Sequence, residues 1–116
     1  MIVVKKEVNK DFEIIEIEDD LRSYQEIIGG YIETIPFKEN ILMIVNEDGL
    51  SLNLPYNFSI KRDDHMVHPI VGNAVFVGFN GGSEFDSLSD EQLVFLKNMR
   101  ILKEETLNNY FNSKKK

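Results

Sequence analysis

The sequence predicts an α+β fold: a mostly antiparallel sheet with one short helix and a long C-terminal helix. Three observations carry this. Short β-branched or alternating segments, separated by turn residues, fill most of the chain up to Gly78. Leu21, Tyr24, Ile27 and Ile28 recur at helical spacing in one place among them. After Gly82 there is no glycine or proline, so nothing in the C-terminal stretch punctuates a helix.

Taken in order, Ile2-Val3-Val4 and Phe12 to Ile17 read as two strands around a turn at Asn9-Lys10-Asp11. A helix starts at Asp19 or Asp20, where early acids suit the positive end of its dipole. Gly29-Gly30 stops it, because glycine takes the left-handed conformation of a helix end. Tyr31 to Ile35 is a strand and Lys38-Glu39-Asn40 a turn. Ile41 to Val45 is apolar without alternation, which predicts a central strand covered on both faces. Asn46 to Gly49 reads as a tight hairpin turn, with Asp48-Gly49 supplying positive backbone angles. Leu50 to Leu54 alternates and predicts the returning strand. Pro55 cannot donate to a ladder, so Leu54 to Asn57 leaves the sheet. Lys61 to Pro69 is polar and reads as a loop, and Ile70 to Gly78 as a last strand bent at Gly72.

The final helix has the clearest start. Ser89 and Gln92 form a capping box, with Leu88 and Leu93 as a hydrophobic staple across it. Uninterrupted to Phe111, it spans about 22 residues, or roughly 33 Å at 1.5 Å each. Leu93, Leu96, Met99, Leu107, Tyr110 and Phe111 share one side, Phe95 and Leu102 widen it, and Val94 and Ile101 lie opposite. That is wider than the stripe of an ordinary surface helix. Either the helix breaks near Lys103-Glu104-Glu105, or its outer side packs on a second copy as a homodimer.

At 116 residues and 42% hydrophobic content the chain suits one domain, placed at 1–112 with a frayed basic tail at 113–116. There is no cysteine, which removes disulfides, thiol nucleophiles and thiolate metal sites together. No apolar stretch matches a membrane span or a signal peptide. A cytoplasmic protein is the expectation.

The formal charge is −7, from 20 acidic and 13 basic residues. The bases are scattered, whereas Asp11, Glu13, Glu16, Glu18, Asp19 and Asp20 fall in a stretch without any base. DNA binders neutralise phosphates with a basic patch, so direct sequence-specific DNA binding is excluded. An acidic face suits a basic protein partner; the plainer reading is a solvated surface that keeps a small protein in solution.

Chemistry-bearing patterns are sparse. Asp63-Asp64-His65-Met66-Val67-His68 is the one His/Asp cluster, and no third histidine exists to complete a metal site; a solvated polar loop is the simpler reading. Gly78-Phe79-Asn80-Gly81-Gly82-Ser83 follows a strand and precedes a helix, as phosphate loops do, but it lacks a Walker lysine and a dinucleotide fingerprint. It reads as a turn, with free N–H groups that suit a small-ligand contact. No serine sits in a nucleophile elbow, and no carboxylate pair stands in an apolar setting. The expectation is a non-enzyme without cofactor or metal.

Gln25 to Glu33, Asn46 to Gly49, Leu54-Pro55 with Asn57, and Ile70-Val71-Gly72 with Val75 to Gly78 together resemble the domain-of-unknown-function family 3846, over roughly residues 12 to 96. The resemblance implies a setting, that of small accessory proteins of phages, plasmids and conjugative elements, and carries no catalytic residues. Among the marking residues, Tyr31, Glu33, Tyr56 and Asn57 have polar atoms that a bare fold does not demand.

The expected function is a binding protein of a mobile element. It would act as a counter-defence inhibitor on a host nucleic-acid-handling protein, through Asp11, Glu13, Glu16, Glu18, Asp19 and Asp20. The alternative is a binder that sequesters a nucleotide-like molecule, with Tyr31, Tyr56 and Phe79 stacking a base, Glu33 and Asn57 beside them, and Arg100 and Lys103 meeting phosphates. A third reading is a structural or regulatory homo-oligomer.

Overall fold

The computed structural model describes residues 1–61 and 65–114. In chain order the elements are β1 (Ile2–Lys6), β2 (Phe12–Glu16), α1 (Leu21–Ile28), β3 (Ile32–Pro36), β4 (Ile41–Asn46) and β5 (Tyr56–Lys61). Then follow β6 (Val67–Val71), β7 (Ala74–Phe79), β8 (Phe85–Asp86), α2 (Asp90–Asn98) and α3 (Glu104–Lys114). The main sheet runs β2-β1-β7-β4-β3, every pairing antiparallel, with β8 extending the β7 side; β5 and β6 form a separate two-stranded ribbon. The α+β class with a mostly antiparallel sheet is therefore the observed one.

Three layers explain the hydrophobic pattern. On one face α1 lays Tyr24 and Ile28 against Val3, Ile44, Val75 and Val77. On the other face Val4, Met43 and Phe76 meet Ile60 and Ile70 of the ribbon and Leu93, Leu96, Leu102 and Leu107 of the C-terminal helices. The central strand β4 is buried at every position, which is why its sequence shows no alternation. Asp20 caps α1 by accepting the Ser23 N–H at 2.7 Å, and Gly29 ends it in the left-handed region at φ +81°.

Four expectations are corrected. Leu50 to Asn53 forms consecutive turns and Leu54 irregular chain, rather than a strand, because both edges of β4 are already taken by β3 and β7. Leu50 and Leu52 are exposed, and Asp48 and Gly49 do not adopt the positive angles of a tight hairpin. The single strand expected over Ile70 to Gly78 is two strands in different sheets. Gly72, at φ +74°, turns the chain between them, and Leu54 sits 2.8 Å from where a β-carbon would project. The polar segment before it is not all loop, since β6 already starts at Val67, and Tyr56 opens β5 instead of leaving a sheet. Arg62, Asp63 and Asp64 lie outside the described residues.

The fourth correction concerns the length of the final helix: of the two alternatives the break is the one observed, and it gives two helices, with the turn at Arg100 shortly before Lys103-Glu104-Glu105. Arg100 takes φ +63°; its N–H donates to the Lys97 carbonyl at 2.9 Å, and the Ile101 N–H to the Leu96 carbonyl at 2.9 Å. This is a Schellman ending with arginine where glycine is usual. A continuous rod would leave Ile101 on its outer side; the break turns both Ile101 and Leu102 onto the core. The rod proposed as a dimer surface does not exist, and its main apolar residues pack within the chain. α3 also runs through Ser113 and Lys114, assigned from sequence to the tail, with Lys114 Nζ 3.1 Å from Asp90 Oδ1; Lys115 and Lys116 lie outside the described residues. Among the described residues no helix is long and apolar enough to cross a membrane.

Candidate functional site

The acidic stretch occupies a sheet edge. Met1 and Ile17 exchange hydrogen bonds, Ile17 N–H to Met1 carbonyl at 3.0 Å and the Met1 ammonium to Ile17 carbonyl at 2.9 Å. Given the register Ile2↔Glu16 to Lys6↔Phe12, antiparallel alternation turns the N–H and C=O groups of Phe12, Ile14 and Glu16 away from β1. Among the described residues no strand pairs with that outer side of β2. α3 flanks it, and a groove of about 500 Å³ runs between Asp11 to Ile14 and Thr106, Asn109, Tyr110 and Ser113.

All six carboxylates are exposed, yet they are not equally available. Asp11 accepts from Lys103 Nζ at 3.0 Å. Glu13 lies 3.7 Å from Lys5 Nζ, which is closer to Glu7 at 2.9 Å. The hydrogen bond from Lys5 holds the Glu7 carboxyl below its usual range, and the same bond raises the Lys5 ammonium against the opposing effect of burial. Asp19 accepts the Tyr24 hydroxyl at 3.0 Å. The backbone hydrogen bond from Ser23 lowers Asp20. Among the described residues no ion pair engages Glu16 or Glu18, which makes them the uncommitted anions of the edge.

A second feature lies on the ribbon side of the sheet. Phe12 and Phe58 meet edge to face at 5.3 Å between ring centroids, and both lean on Phe76, at 6.1 and 6.2 Å; Phe37 stands against Phe76 at 5.4 Å. Phe76 is fully buried, so the cluster is anchored from below. A cavity of about 320 Å³ opens beside it, lined by Phe12, Phe37, Phe58, Lys61, Met99 and Arg100 among others. Sequence reasoning found Arg100 but missed the three phenylalanines, because they come from β2, the β3–β4 turn and β5, and no spacing relates them.

The ligand residues predicted from sequence do not assemble into one site. Phe79 belongs to the core on the α1 face, whereas Tyr56 is exposed on the ribbon of the opposite face, its hydroxyl 2.8 Å from the Ser59 hydroxyl. Tyr31 is exposed just before β3. Glu33 lines a small cavity of about 150 Å³ with Asn46, Leu50 and Ile70. Asn57 is fully engaged in structure: its Nδ2 donates to the carbonyls of Lys6 and Gly72 at 2.9 and 2.8 Å, and its Oδ1 accepts from Lys6 Nζ at 2.7 Å. Lys103 is held by Asp11, and of these residues Arg100 is the one that lines the aromatic cavity. The loop at Gly78 to Ser83 leads into β8 rather than directly into a helix, and the Asn80 side chain already accepts the Gly82 N–H at 2.9 Å. Among the described residues no group of three or more His, Asp or Glu side chains is placed to hold a metal.

The fold and its surfaces define a small three-layer α+β domain with an acidic sheet edge and an aromatic cavity. The chain belongs to the family described as Domain of unknown function (DUF3846), whose model matches residues 1–101. That match is wider than the resemblance read from motifs, because it takes in β1 and the whole of α2. It ends in the turn between α2 and α3, so α3, with the outer wall of the β2 groove, lies beyond it. No curated protein and no solved structure matches the chain.

Proposed function

We propose that this chain is a non-enzymatic binding protein whose β2 edge docks a basic segment of a partner protein. The observation that supports this is a strand edge, unpaired among the described residues, that carries acidic side chains along its length. An open edge offers main-chain hydrogen bonds to an added strand, and flanking carboxylates favour a cationic one while repelling another acidic copy. In the mobile-element setting that the family resemblance implies, such a partner is a host nucleic-acid-handling protein, and occupying its basic surface makes the chain a counter-defence inhibitor.

The test is cross-linking and affinity capture from host lysate with the native chain and a Glu16→Lys/Glu18→Lys variant. Both substitutions are at exposed positions that no ion pair engages among the described residues, so the fold is retained. A basic protein cross-linked to β2, lost in the variant and weakened by salt, is the expected result. A partner retained equally by the variant, or cross-linked elsewhere, overturns the reading.

A further inference from the structure

We propose that the cavity beside Phe12, Phe37 and Phe58 is a binding site for a small molecule combining a planar aromatic ring with an anionic group. Its volume of about 320 Å³ is at the lower end of small-molecule sites, which suits a single ring system and not an extended chain. The apolar wall is pre-formed: the rings brace one another at centroid distances of 5.3 to 6.2 Å over the buried Phe76, so a flat ligand enters without ordering them. Aromatic rings reward an added ring with edge or offset contacts.

The anionic half of the ligand follows from the charges at the mouth. In a chain of net charge −7, the charged residues that line this cavity among the described residues, Lys61 and Arg100, are both cations. Several cations elsewhere are held in ion pairs, Lys5 to Glu7, Arg22 to Glu26, Lys103 to Asp11 and Lys114 to Asp90, while Lys97 is engaged by none among the described residues and does not line this cavity. Among the described residues no ion pair engages Lys61 or Arg100. A guanidinium presents a forked donor set that matches a carboxylate or a phosphate.

Arg100 also occupies a backbone position that the fold alone would give to glycine. It is the left-handed residue of the Schellman ending of α2, at φ +63°, a conformation that carries a steric penalty for any side chain but none for glycine. The helix ending needs nothing from the guanidinium. The side chain placed there is accounted for by what it faces.

The experiment is a titration followed by ring-proton NMR and calorimetry, using AMP as an aromatic phosphate and indole-3-acetate as an aromatic carboxylate. Adenosine and ribose 5-phosphate serve as controls that lack the charge and the ring. At least one aromatic anion is expected to shift the Phe12, Phe37 and Phe58 resonances and to bind tenfold or more tightly than either control; which one binds decides between phosphate and carboxylate. Arg100→Gly is expected to weaken that binding at least tenfold while the melting temperature stays equal or rises, a combination that a merely structural arginine does not produce. Lys61→Gln, on a different element, should weaken binding in the same direction. The proposal is overturned if neither aromatic anion moves those rings at millimolar concentration, or if binding survives Arg100→Gly and Lys61→Gln together.

Discussion

Lys6 and Asn57 are joined by a reciprocal pair of hydrogen bonds: Lys6 Nζ donates to Asn57 Oδ1 at 2.7 Å, and Asn57 Nδ2 donates to the Lys6 carbonyl at 2.9 Å. With its second donation, to the Gly72 carbonyl at 2.8 Å, this one amide ties the ribbon both to β1 and to the turn that feeds β7. Removing it takes a donor from two part-buried carbonyls and leaves the Lys6 ammonium with the Glu7 carbonyl alone. Asn57→Ala should therefore destabilise the chain by about 1–3 kcal/mol. Tyr56→Ala next to it, at an exposed position, should stay within about 0.5 kcal/mol. Equilibrium urea unfolding of the two variants checks the difference, and equal midpoints would contradict the clamp.

Phe76 carries the packing of the ribbon side. It is fully buried on β7 and touches the rings of Phe12, Phe37 and Phe58, which come from three separate segments. Phe76→Ala should cost about 3–5 kcal/mol by the loss of transfer energy and the cavity left behind. Because marginal domains hold only about 5–15 kcal/mol in all, the companion variant Phe76→Leu is the practical one, with a smaller loss and a chain that still folds. A thermal melt of Phe76→Leu that matches the native chain would remove Phe76 from this role.

What was legible in the sequence was local. The helix start at Asp19 or Asp20, the Gly29 stop and the Ser89–Gln92 box each depend on a few neighbouring residues, and all three stand where the sequence places them, with Asp20 as the cap. The apolar run from Ile41 to Val45 reports burial on both faces and does so correctly. Leu50 to Leu54 misleads because alternation records a preference for pleated surface, and no free edge of β4 remained to receive it. The helix break was legible as one of two alternatives near Lys103-Glu104-Glu105, but its place at Arg100 was not: burial of Ile101 and Leu102 on the core outweighs the strain of a left-handed arginine, and only the tertiary fold states that balance. Of the candidate sites, the acidic edge was visible as composition, whereas the aromatic cavity depends on contacts among distant segments.

Tyr24 makes an alkaline prediction. Burial first, then its hydrogen bond to Asp19, pushes the phenol far above its ordinary value of 10.0. A folded value above the unfolded one stabilises the fold fully below about pH 10, and that contribution is lost as pH rises toward the folded value. The Tyr24 phenolate absorbance should therefore appear late in an alkaline titration, together with loss of the far-ultraviolet circular dichroism signal. Tyr24→Phe should lack the late step and show a shallower alkaline loss of stability. A Tyr24 phenolate that forms while the dichroism is intact would contradict this.

Asp20 makes the acid counterpart. Its carboxylate accepts the Ser23 N–H at the start of α1, and that backbone hydrogen bond lowers it from an ordinary value of 3.8. With the folded value depressed, the stabilisation is present above the unfolded value and is lost as pH falls through the folded one. Glu7, lowered by Lys5, acts in the same sense. Asp20→Asn keeps a side-chain oxygen able to cap the helix but cannot titrate. The variant should therefore melt close to the native chain at neutral pH and lose less stability between about pH 5 and pH 2. Glu7 contributes to the acid loss that remains, which should shrink in turn in Glu7→Gln. Melting temperatures across that range distinguish the cases, and an unchanged acid slope in Asp20→Asn would mean that the cap acts without its charge.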